Sequence, residues 1–272
     1  MIAYPHIDPI IFSVGPIAVH WYGLSYVAGF VAAWLLARRR AAQPGSTWTP
    51  VDVDDLIFFA ALGVIAGGRV GWVLFYGLTE VLAEPMRALR IWEGGMSFHG
   101  GLLGVIVFVT WFAKRRKRAV GDVWDFTAAL PAIGLFTGRI GNFINGELWG
   151  KPTDVPWAFV VDGVARHPSQ LYEALLEGIV TFIIVWVYSS KPRPRWSVAG
   201  LFLVCYGVFR SLVELVRIPD ENRGYLLLGW VTEGQLLSFP MIVGGAGLIV
   251  WAYRRGVLTG NVVPKNVAGK VK

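Results

Sequence analysis

Arg139 and Arg210 each stand toward the end of an apolar run, Arg139 within GLFTGRIGNFINGELWG (134–150), which also carries two asparagines and a glutamate, and Arg210 within YGVFRSLVELVR (206–217), which also carries Glu214 and Arg217. Lipid offers no hydrogen bonds, so a guanidinium in such a place needs a partner from protein, headgroup or substrate. Guanidinium forks match phosphate oxygens two at a time and stay charged when partly desolvated, so two of them at one depth are best explained by a phosphate. An arginine that held the phosphate while charge built on it as a leaving group would stabilise a departing anion in a poorly screened setting. A nucleophile must then replace it. No G-x-S-x-G elbow occurs, and Cys205, the only cysteine, sits beside Phe202, Leu203 and Val204 as a packed, inert thiol. The attacking group is therefore expected from a second substrate, with His99 near enough in depth to accept its proton. No His, Cys and carboxylate spacing points to a metal, and neither metal nor cofactor is expected. These residues alone lead to displacement at a lipid headgroup and no further.

The elements that must position these residues are membrane spans. Of 272 residues, 55% are hydrophobic and 16% charged, and 13 Trp suit an interfacial aromatic belt. Seven stretches are long and apolar enough for spans: Ile17–Ala37, Asp54–Tyr76, Ser97–Ala113, Asp122–Asn145, Ser169–Tyr188, Val198–Arg217 and Gly234–Tyr253. The expected fold is an all-α integral membrane protein, a seven-transmembrane-helix bundle forming a single polytopic domain over residues 1–272. Sixteen basic residues fall on one side, in Arg38–Arg40, Lys114–Arg118, Lys191–Arg195 and the tail from Arg254. By the positive-inside rule the N-terminus faces out and the C-terminus in. The net charge of +7 belongs to these loops and does not imply nucleic acid. MIAYPHIDPI lacks a basic leader region, so no cleaved signal peptide is expected. Residues 146–168 are expected to form a small external cap containing a strand-like run at Trp157–Val161, and residues 77–96 an interfacial helix on the outer face. The tail from Gly256 to Lys272 is expected to be flexible and cytoplasmic.

With about 1.5 Å of rise per residue, Arg139 lies roughly 9 Å and Arg210 roughly 10 Å below the outer ends of their spans. Tyr22, Arg69, His99, Tyr172, Glu173, Glu233 and Gln235 share that outer half, whereas the inner halves are nearly free of polar groups. The asymmetry favours a pocket open outward or sideways over a conduction path. Tyr206, Arg210, Glu214 and Arg217 share one helical face, as do Arg139 and Asn142. Gly134, Gly138 and Gly141, and likewise Gly63, Gly67 and Gly71, form small-residue seams for close helix approach. Pro131 is expected to kink the fourth span. Packing alternatives exist: Arg217 is expected to snorkel to headgroups, Arg69 to snorkel or to serve the site, and Arg210 can pair with Glu214 at i,i+4. Glu147 and Glu173 are expected to orient the arginines. His167 is expected either to cap the fifth span or to touch substrate.

The run Gly138–Gly150 resembles the signature of the bacterial phosphatidylglycerol:prolipoprotein diacylglyceryl transferases. The likeness extends to HWYGL (20–24), FHGG (98–101), HPSQLYE (167–173) and YGVFRSLVELVR (206–217) followed by Pro219 and Asp220, and so covers nearly the whole chain. It implies transfer of the diacylglyceryl group of phosphatidylglycerol to the lipobox cysteine thiol of a preprolipoprotein signal peptide, forming a thioether and releasing glycerol phosphate. By motif position it implies Arg139 and Arg210 on the phosphate and His99 as base. Tyr22, Asn142 and Glu147 would position lipid or arginine, Gly150 would shape the cap, and Tyr206 and Glu214 would complete the substrate-binding set. It also implies a seven-span bundle with a small periplasmic head, in the bacterial inner membrane. Two other classes compete. A transporter predicts polar residues through both leaflets and internal symmetry, neither of which is visible; a lipid-binding scaffold predicts indifference to loss of His99.

Overall fold

The computed structural model describes residues 1–15, 17–219, 224, 226 and 229–262. Asp220, Arg223 and the tail beyond Val262 lie outside the described residues. The chain is mostly helical. Its helices are α1 (Trp21–Ala41), α2 (Pro50–Phe75), α3 (Leu78–Ala83), α4 (Phe98–Arg115), α5 (Val120–Thr127), α6 (Leu130–Ile144), α7 (Ser169–Tyr188), α8 (Ser197–Val213) and α9 (Glu233–Arg255). Among the described residues are five short strands, β1 (Ile2–Ala3), β2 (Ile10–Val14), β3 (Ile17–His20), β4 (Phe159–Val161) and β5 (Val164–Arg166); β4 falls in the strand-like run expected at Trp157–Val161, and the other four are departures from an all-α reading. Among the described residues three helices, α2, α7 and α9, are long and apolar enough to cross a membrane, and α8 is a shorter apolar helix. Two compact units result: Met1–Leu36 with Asp125–Thr259, and Ala37–Trp124 with the chain from Gly260.

In the second unit, Thr49 and Asp52 cap α2 reciprocally and Pro50 opens its first turn. Gly63, Gly67 and Gly71 then lie against Gly100 and Gly104 of α4. A β-carbon on Gly63 would stand 2.8 Å from the Gly104 carbonyl oxygen, and one on Gly71 2.7 Å from the Gly100 Cα. The backbones touch because these positions carry no side chain. Gly67→Leu is accordingly expected to split the pair and leave little monodisperse protein on size exclusion, since overpacking costs about 1–3 kcal/mol or more. Gly247→Ala on α9, where a β-carbon meets nothing within 4 Å, should leave the elution profile intact.

The interfacial helix expected over residues 77–96 is not continuous. After α3 the chain makes two 3₁₀ turns, Pro85–Leu89 and Ile91–Glu93. Arg69 lies against both turns: its buried guanidinium donates to the carbonyls of Arg87, Ala88, Arg90, Gly94 and Gly95 and stacks on Trp72, 4.5 Å from the ring centroid. The Arg87 and Arg90 carbonyls also accept from the N–H groups three residues on, so the guanidinium and the 3₁₀ turns share acceptors. Arg69 is thus a structural clamp for this segment.

In the first unit the expected first span is shortened at its start. Ile17–His20 is strand β3, paired with β2, and the helix begins at Trp21 and runs on to Ala41. An apolar run does not distinguish a buried strand from a helix start. The expected fourth span is two helices, α5 and α6, broken at Ala128–Ala129; Pro131 does more than kink it, because its ring clashes with the carbonyl four back while its missing N–H is tolerated in the first turn of α6. Asp125, in the last turn of α5, accepts from the backbone N–H groups of Trp196 (2.6 Å), Val198 (3.1 Å) and Ala199 (2.9 Å), donors at the start of α8 that have no partner within the helix. Residues 146–168 carry β4 and β5, and β4 also pairs in parallel with β1. Tyr4 follows β1 and donates from its hydroxyl to the last carbonyls of α6, Phe143 (2.8 Å) and Ile144 (3.0 Å). Within the stretch expected to be a flexible tail, Thr259 N–H donates to the Arg193 carbonyl in the first unit, and Asn261 accepts from Trp48 Nε1 at 2.8 Å in the second.

Candidate functional site

Three elements of the first unit bring six charged side chains into contact. Arg139 and Asn142 project from one face of α6, Glu173 and Glu177 from α7, and Arg210 from α8, while Glu214 and Arg217 stand in the turn that ends α8. Helix α7 is π-helical over Ala174–Val180. Its i→i+5 hydrogen bonds widen the turn, so residues four apart come round to nearly the same direction. Glu173 and Glu177 therefore face the same arginines.

Glu173 is the hub. Its Oε2 lies 3.0 Å from Arg139 Nε, and its Oε1 pairs with Arg210 Nη1 and lies 3.9 Å from Arg217 Nε. Glu214 Oε1 takes Arg210 Nη2 at 2.6 Å and Arg217 Nη1 at 3.0 Å. Glu177 is farther from both arginines, 3.6 Å from Arg210 and 4.0 Å from Arg139. All three carboxylates are buried, whereas the arginine side chains keep 20% (Arg139), 12% (Arg210) and 11% (Arg217) of their surface exposed. Arg139 is thus the most reachable cation of the cluster. Arg217 does not snorkel as expected, because Glu214 three residues earlier holds it inside. The Arg210–Glu214 pair exists, but as one edge of a network.

A polar chain leads outward from Arg139. Its Nη1 donates to Asn142 Oδ1 at 3.3 Å, and Asn142 Nδ2 donates to Glu147 Oε1 at 2.7 Å. The loop bearing Glu147 is pinned by Gln170, which donates to the Glu147 carbonyl, and by Ser169 Oγ, which donates to the Leu148 carbonyl at 2.6 Å. Gly150 passes between His167 and Val216: a β-carbon there would stand 2.7 Å from the Val216 carbonyl oxygen and 2.8 Å from the His167 Cβ. Its N–H donates to the His167 carbonyl at 2.9 Å, and Lys151 N–H to the Val216 carbonyl at 2.8 Å. A glycine is required here because two backbones and this strand share one gap, which fixes the turn carrying Glu214 and Arg217.

The other expected site residues divide. Tyr206, half-buried, stands one turn before Arg210 on α8 and stacks on Phe202. Tyr22 lies on α1 where it meets α6; its ring would be 3.2 Å from a β-carbon on Gly141, and its hydroxyl is 3.0 Å from that of Tyr26. The close approach of α1 and α6 is at Gly141 and at Gly29 opposite Gly134, whereas Gly138 meets nothing within 4 Å. His99 belongs to the other unit, on the first turn of α4, exposed and in edge contact with Phe98. His167 does not cap α7 with its side chain. Its Nδ1 is 3.1 Å from the Tyr172 hydroxyl, which accepts from Trp157 Nε1 at 2.7 Å. Burial lowers the His167 pKa from its ordinary value.

Glu177 escaped the sequence reading. The signal was there, a second acid four residues after Glu173 in an apolar run, and any ionisable group so placed marks a site.

The family model described as prolipoprotein diacylglyceryl transferase matches residues 9–251. A phosphatidylglycerol–prolipoprotein diacylglyceryl transferase of Ectopseudomonas mendocina is 54% identical over 264 residues, 96% of this chain and 99% of the relative. One from Solidesulfovibrio magneticus is 57% identical over 254 residues, 92% and 96% of the two chains. One from Pseudomonas aeruginosa is 55% identical over 258 residues, 94% and 97% of the two.

Proposed function

The chain belongs to the prolipoprotein diacylglyceryl transferase family, and we propose that it moves the diacylglyceryl group of phosphatidylglycerol onto the lipobox cysteine thiol of a preprolipoprotein. The observation that carries this reading is identity of more than half the residues with transferases of that name along almost their whole length. The arginine cluster supplies the chemistry. The thiol sulfur attacks the glyceryl carbon that bears the phosphate, a C–S bond forms, and the C–O bond breaks with its electron pair left on the departing glycerol phosphate. Arg139, the most exposed of the three guanidiniums, meets the phosphate first, and Arg210 supplies the second fork. The thiol proton goes to a base, for which His99 is the proposed residue; an ordinary thiol, with a pKa of about 8.5, profits from one. Asn142 and Glu147 hold Arg139 in its orientation.

The proposed setting is the bacterial inner membrane, spanned seven times with the N-terminus out, the C-terminus in, and residues 146–168 as a periplasmic cap over the site. Large apolar side chains left exposed, among them Phe75, Val107, Val187 and Phe239, suit a bilayer solvent. The test is to incubate the purified protein with phosphatidylglycerol and a lipobox peptide, and to follow both the peptide mass and released glycerol phosphate. Wild type should yield both products. Arg139→Ala should lower turnover by about 10²-fold or more, the usual cost of one lost anion-stabilising donor, and His99→Gln should lower it by about 10²–10⁴-fold. Absence of both products from folded wild type would remove the transferase reading, whereas retained His99→Gln activity would move the base elsewhere.

A further inference from the structure

We propose that Glu177 is a positioning residue for the phosphate, standing among the arginines as a neutral carboxylic acid so that the cluster carries one net positive charge. The inference rests on the transferase reading. Three arginines and three glutamates touch one another here, so with every group ionised the cluster sums to zero and offers an anion no net attraction. One proton resolves this. A phosphodiester carries a single negative charge, and a cluster of charge +1 matches it. Guanidinium does not release its proton in proteins, so the proton must sit on a carboxylate.

Geometry selects which one. Glu173 and Glu214 each have an arginine nitrogen within 3.0 Å. Glu177 is fully buried, its nearest arginine nitrogens stand at 3.6 and 4.0 Å, and neither of its oxygens has a hydrogen-bond partner among the described residues. Distances beyond about 3.5 Å are not hydrogen bonds, and a buried carboxylate without them is the costliest of the three to keep ionised. The charged and titratable groups around it are Glu173 one turn earlier on its own helix, Arg139 from α6, Tyr206 and Arg210 from α8, and Glu214 and Arg217 after α8. Glu173, already paired, adds like-charge repulsion against a second ionised acid on the same face. Placed behind the two arginines, Glu177 sets their field without contacting the reacting atoms.

The test uses the full-length protein with phosphatidylglycerol and a lipobox peptide, comparing wild type with Glu177→Ala, Glu177→Gln and Glu177→Asp. Glu177→Ala, which empties the space behind the arginines, should lower kcat/KM by about tenfold or more, chiefly through KM for the lipid. Glu177→Gln, neutral and of the same shape, should rescue most of that loss. The ratio of its rate to that of wild type should climb as pH rises, because only wild type can then acquire a third carboxylate charge; the ratio cancels the titration of the substrate thiol. Infrared spectra supply a readout independent of activity. The C=O stretching band of a protonated carboxylic acid should vanish in Glu177→Gln and shift in Glu177→Asp. A folded Glu177→Gln as impaired as Glu177→Ala, or an infrared spectrum in which no such band depends on residue 177, would overturn the inference. Wild type that forms no product would instead remove the transferase reading, and the infrared assignment would still stand or fall by itself.

Discussion

Arg210→Ala is expected to lower kcat/KM for phosphatidylglycerol by about 10²–10³-fold, corresponding to the 2.7–4 kcal/mol that one preorganised anion-stabilising donor typically supplies. The geometry explains why the loss should be near the upper end. Arg210 Nη1 serves Glu173 and Nη2 serves Glu214, so the guanidinium plane is fixed from two helical elements and cannot turn away when a phosphate arrives. A donor fixed in advance needs no reorganisation as charge develops. Arg210→Lys separates charge from geometry, since a single ammonium cannot span Glu173 and Glu214 as the planar fork does. It should recover no more than about a tenth of the lost rate. Full recovery by lysine would mean that only a point charge is needed. The loss should fall mainly on kcat if Arg210 acts on the departing phosphate, and on KM if it only binds the lipid.

The share of this site that was legible in the sequence follows the regular helix. Arg139 with Asn142, and Arg210 with Glu214 and Arg217, are three and four residues apart, and the structure keeps each set on one face. The Gly63, Gly67 and Gly71 seam was legible for the same reason, and its partner helix α4 carries matching glycines. What the sequence hid depends on departures from that period or on contacts distant along the chain. Glu177 shares a face with Glu173 at a spacing the sequence shows, but that Arg139 of α6 and Arg210 of α8 meet that face is a contact distant along the chain. Arg217 was read as a snorkelling side chain because its position near a span end suggests water, but the partner that keeps it inside is decided by the tertiary turn after α8. The segment after α2 has the pattern of an amphipathic helix, yet it forms two 3₁₀ turns whose carbonyls, with those of Gly94 and Gly95, close round the Arg69 guanidinium. Gly150 had only its place in a motif, and the Val216 and His167 backbones that exclude a side chain there come from elsewhere in the chain.

Glu173→Gln should be the most destabilising single change at the cluster, and its contrast with Glu177→Gln separates two acids that the sequence presents as equivalent. Both lie on α7, four residues apart, fully buried, and both are approached by Arg139 and Arg210. Glu173, however, closes ion pairs with Arg139 and Arg210 and stands 3.9 Å from Arg217, so it is the one carboxylate that touches all three arginines. An amide in its place presents N–H donors to guanidinium donors and leaves buried positive charge short of its counterion. Breaking a buried pair from one side costs about 3–5 kcal/mol. In detergent, where unfolding of a helical membrane protein is commonly irreversible, that loss is read as a shorter half-life at fixed temperature and a lower apparent Tm at one scan rate. Glu177→Gln replaces an acid that makes no hydrogen bond among the described residues and should move the same apparent Tm by much less. Adding an anionic phospholipid tests the origin of the difference. A bound phosphate returns a negative charge to the arginines, so it should restore more of the lifetime of Glu173→Gln than of wild type, as expected for a ligand that binds only the folded form. Equal losses in the two variants would mean that the cluster responds to the number of carboxylates, not to which one holds the arginines together.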